Sequence, residues 1–182
     1  EQVEKSMDLL LSKYLKANIK YEGLSRAESY PFPEAAIREA LLNAIAHKDY
    51  SSGNPIQISV YNNKIVFWNE GQLPENWTIE QLNKKHPSKP FNPNIATVFF
   101  FAGLIEAWGR GTLKIINECK KINLPTPVFK YEFSGFSVEL IAGSKKNDTK
   151  NDTKNDTKND TKIISKSTPK NTPKSTPKSI SK

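Results

Sequence analysis

From Asn147 to Lys182 the chain consists of nine four-residue units, each ending in lysine. Four read Asn-Asp-Thr-Lys; Ile-Ile-Ser-Lys, Ser-Thr-Pro-Lys, Asn-Thr-Pro-Lys, Ser-Thr-Pro-Lys and Ser-Ile-Ser-Lys follow. Three isoleucines are the only strongly apolar residues in this stretch, too few to offset the entropy of ordering it. Residues 145–182 are therefore expected to be a disordered tail, and any fold must be built from the preceding 144. That length still suffices for a real core. The tail also explains the charge: it carries 11 Lys and 4 Asp, a net of +7, out of +8 for the whole chain. Residues 1–144 carry 16 basic and 15 acidic groups and are nearly neutral. One reading of the tail is a basic arm that grips phosphate backbones, giving DNA as a partner. The plainer one is a solvated tail produced by expansion of a short DNA repeat.

Several classes are excluded. The longest apolar run, residues 98–105, is far short of the ~20 residues that span a bilayer, so no membrane is expected. No charged-then-apolar leader opens the chain, and a cytoplasmic location is the plain reading. The chain starts at Glu1 rather than Met and reads as a fragment. A single cysteine, Cys119, allows no internal disulfide, and two histidines allow no Cys/His zinc cluster. The Asn-Asp-Thr triplets match a glycosylation pattern that carries little meaning without a secretory signal.

Periodicity then orders the first 144 residues. Val3, Met7, Leu10, Leu11, Tyr14 and Leu15 fall at helical spacing over residues 3–17, an N-terminal helix belonging to an upstream module or linker (1–19). An extended Tyr30-Pro31-Phe32-Pro33 leads into a helix ending near His47. Residues 56–61 alternate as a strand, and Asn62-Asn63 turns into a second over 64–68. Residues 69–93 are polar and Pro-rich; helices are expected near 94–101 and 112–122, and strands near 128–133 and 136–141. Helices beside hairpins argue an α+β fold with helices on one sheet face, in a domain spanning 20–144.

Three segments could carry chemistry. Glu39, Asn43 and His47 sit at i, i+4 and i+8, a polar stripe beside the apolar face of Ile37, Ala40, Leu41, Ala44 and Ile45. Such a stripe can aim a carboxylate, a carboxamide and an imidazole into one cleft, with Asn43 a suitable Mg²⁺ ligand and Glu39 a base for water. Equally it can be the solvated flank of an amphipathic helix. Gly109-Arg110-Gly111-Thr112 precedes a helix whose free N–H groups could meet an anion, with Arg110 and the Thr112 hydroxyl adding contacts. The ordinary alternative is a turn and a cap. Asn69-Glu70-Gly71-Gln72-Leu73-Pro74 follows a strand and could read an adenine edge, or be a simple turn. No Walker A sequence is present, so the chain holds no P-loop helicase motor.

Taken in order, these pieces resemble one family. Tyr30-Pro31, the stretch Ile37-Arg38-Glu39-Ala40-Leu41-Leu42-Asn43-Ala44 and His47-Lys48-Asp49-Tyr50-Ser51 look like the N-box of GHKL-type ATP-binding proteins. The nearer likeness is to a bacterial, Schlafen/AlbA-associated branch named for the RecG-like C-terminal region and grouped with transcriptional regulators. In it an Asn-x-Gly-x-Leu-Pro segment, a Pro-rich lid (compare Phe91-Asn92-Pro93-Asn94-Ile95-Ala96) and a Leu-Ile-Glu-x-Trp-Gly-x-Gly segment follow in order; here the first and last fall at 69–74 and 104–111. The likeness covers roughly residues 20–141.

The resemblance implies a two-layer α/β sandwich of Bergerat type, with a mixed sheet covered by helices on one face. It implies ATP and Mg²⁺ as cofactors and a nucleotide as the partner, with homo-oligomers an open option. Glu39 would match the acid that activates water, Asn43 the Mg²⁺ ligand, and His47 a polar residue near the phosphates. Asn69 would stand at the adenine-reading Asp and Gly71 at the first glycine of that box. Gly109 and Gly111 would match the second glycine box beneath the triphosphate. This sequence departs from the pattern at Asn69, where Asp is usual, and at Leu73, where a glycine is usual. Asn69 lacks the charge-assisted bond a carboxylate makes to the exocyclic amine. Weaker affinity, altered base choice and a scaffold that never turns over all follow as readings, the last giving a DNA-associated module with a degenerate pocket. The family's upstream module and following winged helix are not among these residues; the repeat tail stands in the latter's place.

Overall fold

The computed structural model describes residues 1–105 and 109–143. The reading of the tail, and residues 106–108 of the 104–111 segment, lie outside them. In chain order the elements are α1 (Gln2–Leu9), a π-helical turn (Leu10–Tyr14), β1 (Asn18–Glu22), β2 (Ser25–Ser29), α2 (Glu34–His47), β3 (Gln57–Val60), β4 (Lys64–Glu70), α3 (Ile79–Leu82), α4 (Pro93–Phe101), α5 (Gly111–Lys121), β5 (Val128–Glu132) and β6 (Gly135–Ile141).

Four strands form the main sheet in the order β3-β4-β6-β5. All three pairings are antiparallel, where the sequence reading expects a mixed sheet. Two of them follow locally: Asn62-Asn63 and Phe133-Ser134 are two-residue connections, which join only antiparallel neighbours. The central pair β4 and β6 runs in register from Lys64 opposite Ile141 to Glu70 opposite Gly135.

Alternation gives this sheet two faces. Ile65 and Phe67 of β4 lie opposite Leu140 and Val138 of β6, and with Phe129 of β5 they build one wall of the core. Ile37, Ala40 and Leu41 of α2 and Ile115 and Cys119 of α5 supply the other wall. Burial pushes the Cys119 thiol up to about 11, so it behaves as a small apolar side chain. Glu139 bonds Lys130 at 2.7 Å and Lys64 at 3.1 Å, a charge cluster of the kind that suits a sheet face turned toward solvent.

Three local features depart from expectation. The helix read over 3–17 divides: α1 stops at Leu9, and a π-helical turn closes with Leu15 N–H donating to Leu10 O at 2.8 Å. The extra residue in that turn keeps Leu10 and Leu15 in the core with Val3 and Met7 while Tyr14 points outward. The hairpin β1–β2 was not legible, because its strands form a separate two-stranded sheet with Ile19 and Tyr21 exposed. Residues 69–93 contain α3, closed by reciprocal bonds between Thr78 and Gln81.

Most consequential for function is the position of α2. It is buried almost all round, through Ala36, Ile37, Ala40, Leu41, Leu42, Ala44 and Ala46, because the sheet covers one side and other helices pack on the rest. Its polar stripe is therefore not a solvated flank, and Glu39 is only 6% exposed.

Candidate functional site

The cleft lies between α2, the Asn69 end of the sheet and the segments around α3 and the start of α5. Its open space, solvent at the mouth included, is about 820 Å³. Its lining includes Asn43 and His47 from α2, Asn69 and Gly71 from the end of β4, and Gly109, Gly111 and Thr112. Phe67, Phe136 and Val138 form an apolar floor on the sheet.

Each position has a physical cause. Asn69 continues the inward-facing register of Ile65 and Phe67, so its carboxamide is carried into the interior, 3% exposed. Its Nδ2 donates to Glu70 O at 3.2 Å, which leaves Oδ1 as its acceptor. At Gly71, a β-carbon would stand 2.6 Å from His47 O, so only glycine lets the sheet end approach the end of α2 this closely. The Asp49 N–H donates to Glu70 O at 2.7 Å and fastens the same junction. Asn92 adds a strap from the start of α4, donating from Nδ2 to Lys48 O at 2.7 Å and Ala46 O at 3.2 Å.

At the other end, Gly111 presses on α2. A β-carbon there would meet Asn43 Nδ2 at 2.5 Å and Asn43 Oδ1 and Glu39 Oε1 at 2.8 Å. Asn43 Nδ2 donates to Glu39 Oε1 at 3.5 Å, and Lys114 Nζ lies 3.5 Å from Glu39 Oε2. Gly109 has φ +78°, a backbone conformation that favours glycine, and a β-carbon there would collide with the backbone of residues 86–88. The Thr112 hydroxyl donates to Leu82 O at 2.7 Å and lies 3.1 Å from His86 Nε2. It thereby ties α5 to α3 at the wall of the cleft.

Burial, with a smaller push from the nearby His86, holds the His47 imidazole down to about 4. At neutral pH it is an uncharged donor and acceptor and not a cation. Arg110 and Glu39 line an adjoining cleft rather than this one. The sequence reading missed His86, Trp77 and Lys114. Trp77 meets His86 edge-on at 5.0 Å, and both line the cleft. Their signal was faint, since both lie in the stretch read only as polar and Pro-rich. The available hint was that the chain's second histidine stood there.

Residues 53–140 match the model of the family described as "Putative ATP-dependent DNA helicase recG C-terminal". The matched segment holds Asn69, Gly71 and Gly109 to Thr112, while α2 lies upstream of it. No curated protein matches the chain. Among solved structures, that of the DIP2311 protein from Corynebacterium diphtheriae is similar with a TM-score of 0.65 and 23% identity. The match covers 76% of this chain and 29% of that one, so this chain spans under a third of its length, and the likeness is one of fold. Among the described residues no helix is long and apolar enough to cross a membrane. Over residues 53–140, just under half of its length, the chain is similar to the family named for the RecG C-terminal region.

Proposed function

We propose that the cleft binds ATP with Mg²⁺ and that the domain is the nucleotide-responsive part of a bacterial, cytoplasmic transcriptional regulator. The observation that carries this reading is the bracket of the cleft. Asn69 and Gly71 stand at one end, Gly111 at the other, and the inward-facing Asn43 beside Gly111. Glycines at both ends let the backbone pack directly on α2, at His47 O and at Asn43 and Glu39, which fixes the two ends of the cleft.

The donor set suits the cofactors. Asn43 offers a carboxamide oxygen, a hard ligand appropriate to Mg²⁺. With its Nδ2 turned to Glu39, its Oδ1 is the atom presented. Asn69 Oδ1 offers an acceptor to an exocyclic amine, and Phe67 and Phe136 offer an apolar bed for a base. Bound Mg²⁺ would neutralise charge on the phosphate oxygens. Glu39, which lines the adjoining cleft and accepts from Asn43, is the candidate to take the proton of an attacking water.

The test is thermal. ATP with Mg²⁺ should raise the melting temperature, and Asn43→Ala should abolish the rise. No shift at millimolar nucleotide would sink the proposal. Hydrolysis is read separately by phosphate release from wild type and Glu39→Ala; equal rates exclude Glu39 as the base. A second reading, a DNA-associated module, is favoured by the net +7 on residues 145–182. A salt dependence of DNA binding unchanged by removing those residues would exclude the tail as the contact.

A further inference from the structure

A second cleft adjoins the first, lined by Glu39, Lys85, Arg110, Gly111, Lys114 and Lys121, among others. Gly111 is the one described residue on the walls of both clefts. The partition at that point is a backbone with no side chain, the thinnest wall a polypeptide can make. The Glu39 carboxylate lines the second cleft while its neighbour Asn43 lines the first.

Charge distinguishes the two. The second cleft holds four cations against the carboxylates of Glu39 and Glu118. Lys114 pairs with Glu39 at 3.5 Å and Lys121 with Glu118 at 2.6 Å. Lys85 and Arg110 make no ion pair among the described residues, and both are exposed. The excess of two positive charges suits a dianion, and an arginine fork beside a lysine suits phosphate oxygens.

We infer that this second cleft is an orthophosphate site, the exit for the phosphate that hydrolysis in the first cleft would release. The inference rests on the reading of the first cleft as an ATP site. In that step a water oxygen bonds to the terminal phosphorus and the bond from that phosphorus to the bridging oxygen breaks. The bridging oxygen leaves on ADP with the electron pair, and the water proton passes to Glu39. The phosphate is then left at the Gly111 end of the first cleft, near Asn43. Its passage to Lys85 and Arg110 requires the Gly111 backbone to draw away from Asn43 and Glu39, because even a β-carbon has no room there.

Orthophosphate binding to the full chain, followed by ³¹P NMR at ionic strength matched with chloride, tests this without hydrolysis. Saturable binding is expected, about tenfold weaker in Lys85→Ala and in Arg110→Ala, since each removes one charge-assisted contact. Saturating ADP should leave orthophosphate affinity unchanged. Competition with ADP, absence of saturable binding, or wild-type affinity in both variants would each overturn the inference. Its failure is separable from that of the ATP reading: an ATP thermal shift without orthophosphate binding sinks only the exit. Orthophosphate binding without an ATP shift sinks the nucleotide site and leaves an anion site whose proposed role is lost.

Discussion

Gly111 lies against Asn43 so closely that a β-carbon at 111 would stand 2.5 Å from Asn43 Nδ2. Gly111→Ala therefore sets two effects against each other. Alanine at the first position of α5 gains no more than about 0.5 kcal/mol of helix preference, the low end of the helix-interior value. The collision with Asn43 and Glu39 costs about 1–3 kcal/mol if α5 shifts, and less if the Asn43 carboxamide rotates away. Stability should fall by about 1 kcal/mol, but either relief displaces Asn43, so the ATP-dependent rise in melting temperature should disappear. A variant that keeps the full rise would show that this close approach has no part in nucleotide binding.

His47 should make stability depend on pH. Its folded value, about 4, lies below the ordinary 6.5, so the unfolded chain takes up a proton that the folded chain refuses. The stabilisation is complete above pH 6.5 and is lost as pH falls from there to about 4. The difference corresponds to about 3 kcal/mol. Denaturation midpoints measured across that window should fall more steeply for wild type than for His47→Gln. Parallel curves would refute the assignment.

These two residues also show what was legible in the sequence. The stripe Glu39, Asn43, His47 follows from helical spacing alone, and so does the helix that carries it. What spacing could not reveal was that α2 is covered on nearly every side, which turns the stripe inward and makes His47 neutral. That depends on partners distant in sequence. Arg110 illustrates the same limit: adjacent to Gly111 in sequence, it faces the other cleft. The hairpin β1–β2 escaped for a different reason. Sequence patterns report burial, and Ile19 and Tyr21 are not buried.

Glu139 joins three strands of the sheet through Lys130 and Lys64. The bond from Lys130, with Lys64 assisting, holds its carboxyl below the ordinary range despite partial burial. Both lysines are over a third exposed, so solvent screening limits the gain to about 1 kcal/mol. Glu139→Gln should cost that amount at pH 7. A lowered carboxyl stabilises above its unfolded value near 4.5, so the difference from wild type should shrink as pH falls below that. Urea titrations at pH 7 and pH 3.5 check it; a pH-independent difference would point to packing instead.

The turn between β5 and β6 offers a stabilising change. Phe133 and Ser134 have φ of 55° and 57°, the left-handed region at both central positions of a two-residue hairpin. That geometry favours Asn-Gly, whereas phenylalanine there is strained by its β-carbon. The Phe133 ring is 88% exposed, so it returns little packing for the strain. Ser134 contributes its backbone oxygen, which accepts from Gly71 N–H at 3.2 Å and survives substitution. Phe133→Asn combined with Ser134→Gly should raise stability by about 1–2 kcal/mol, seen as a higher urea midpoint with an unchanged slope. Because the turn abuts Gly71, the same variant should hold the Asn69 end of the cleft at least as firmly and keep its ATP-dependent thermal shift. A lower midpoint would mean that the aromatic ring stabilises the turn by more than its backbone costs.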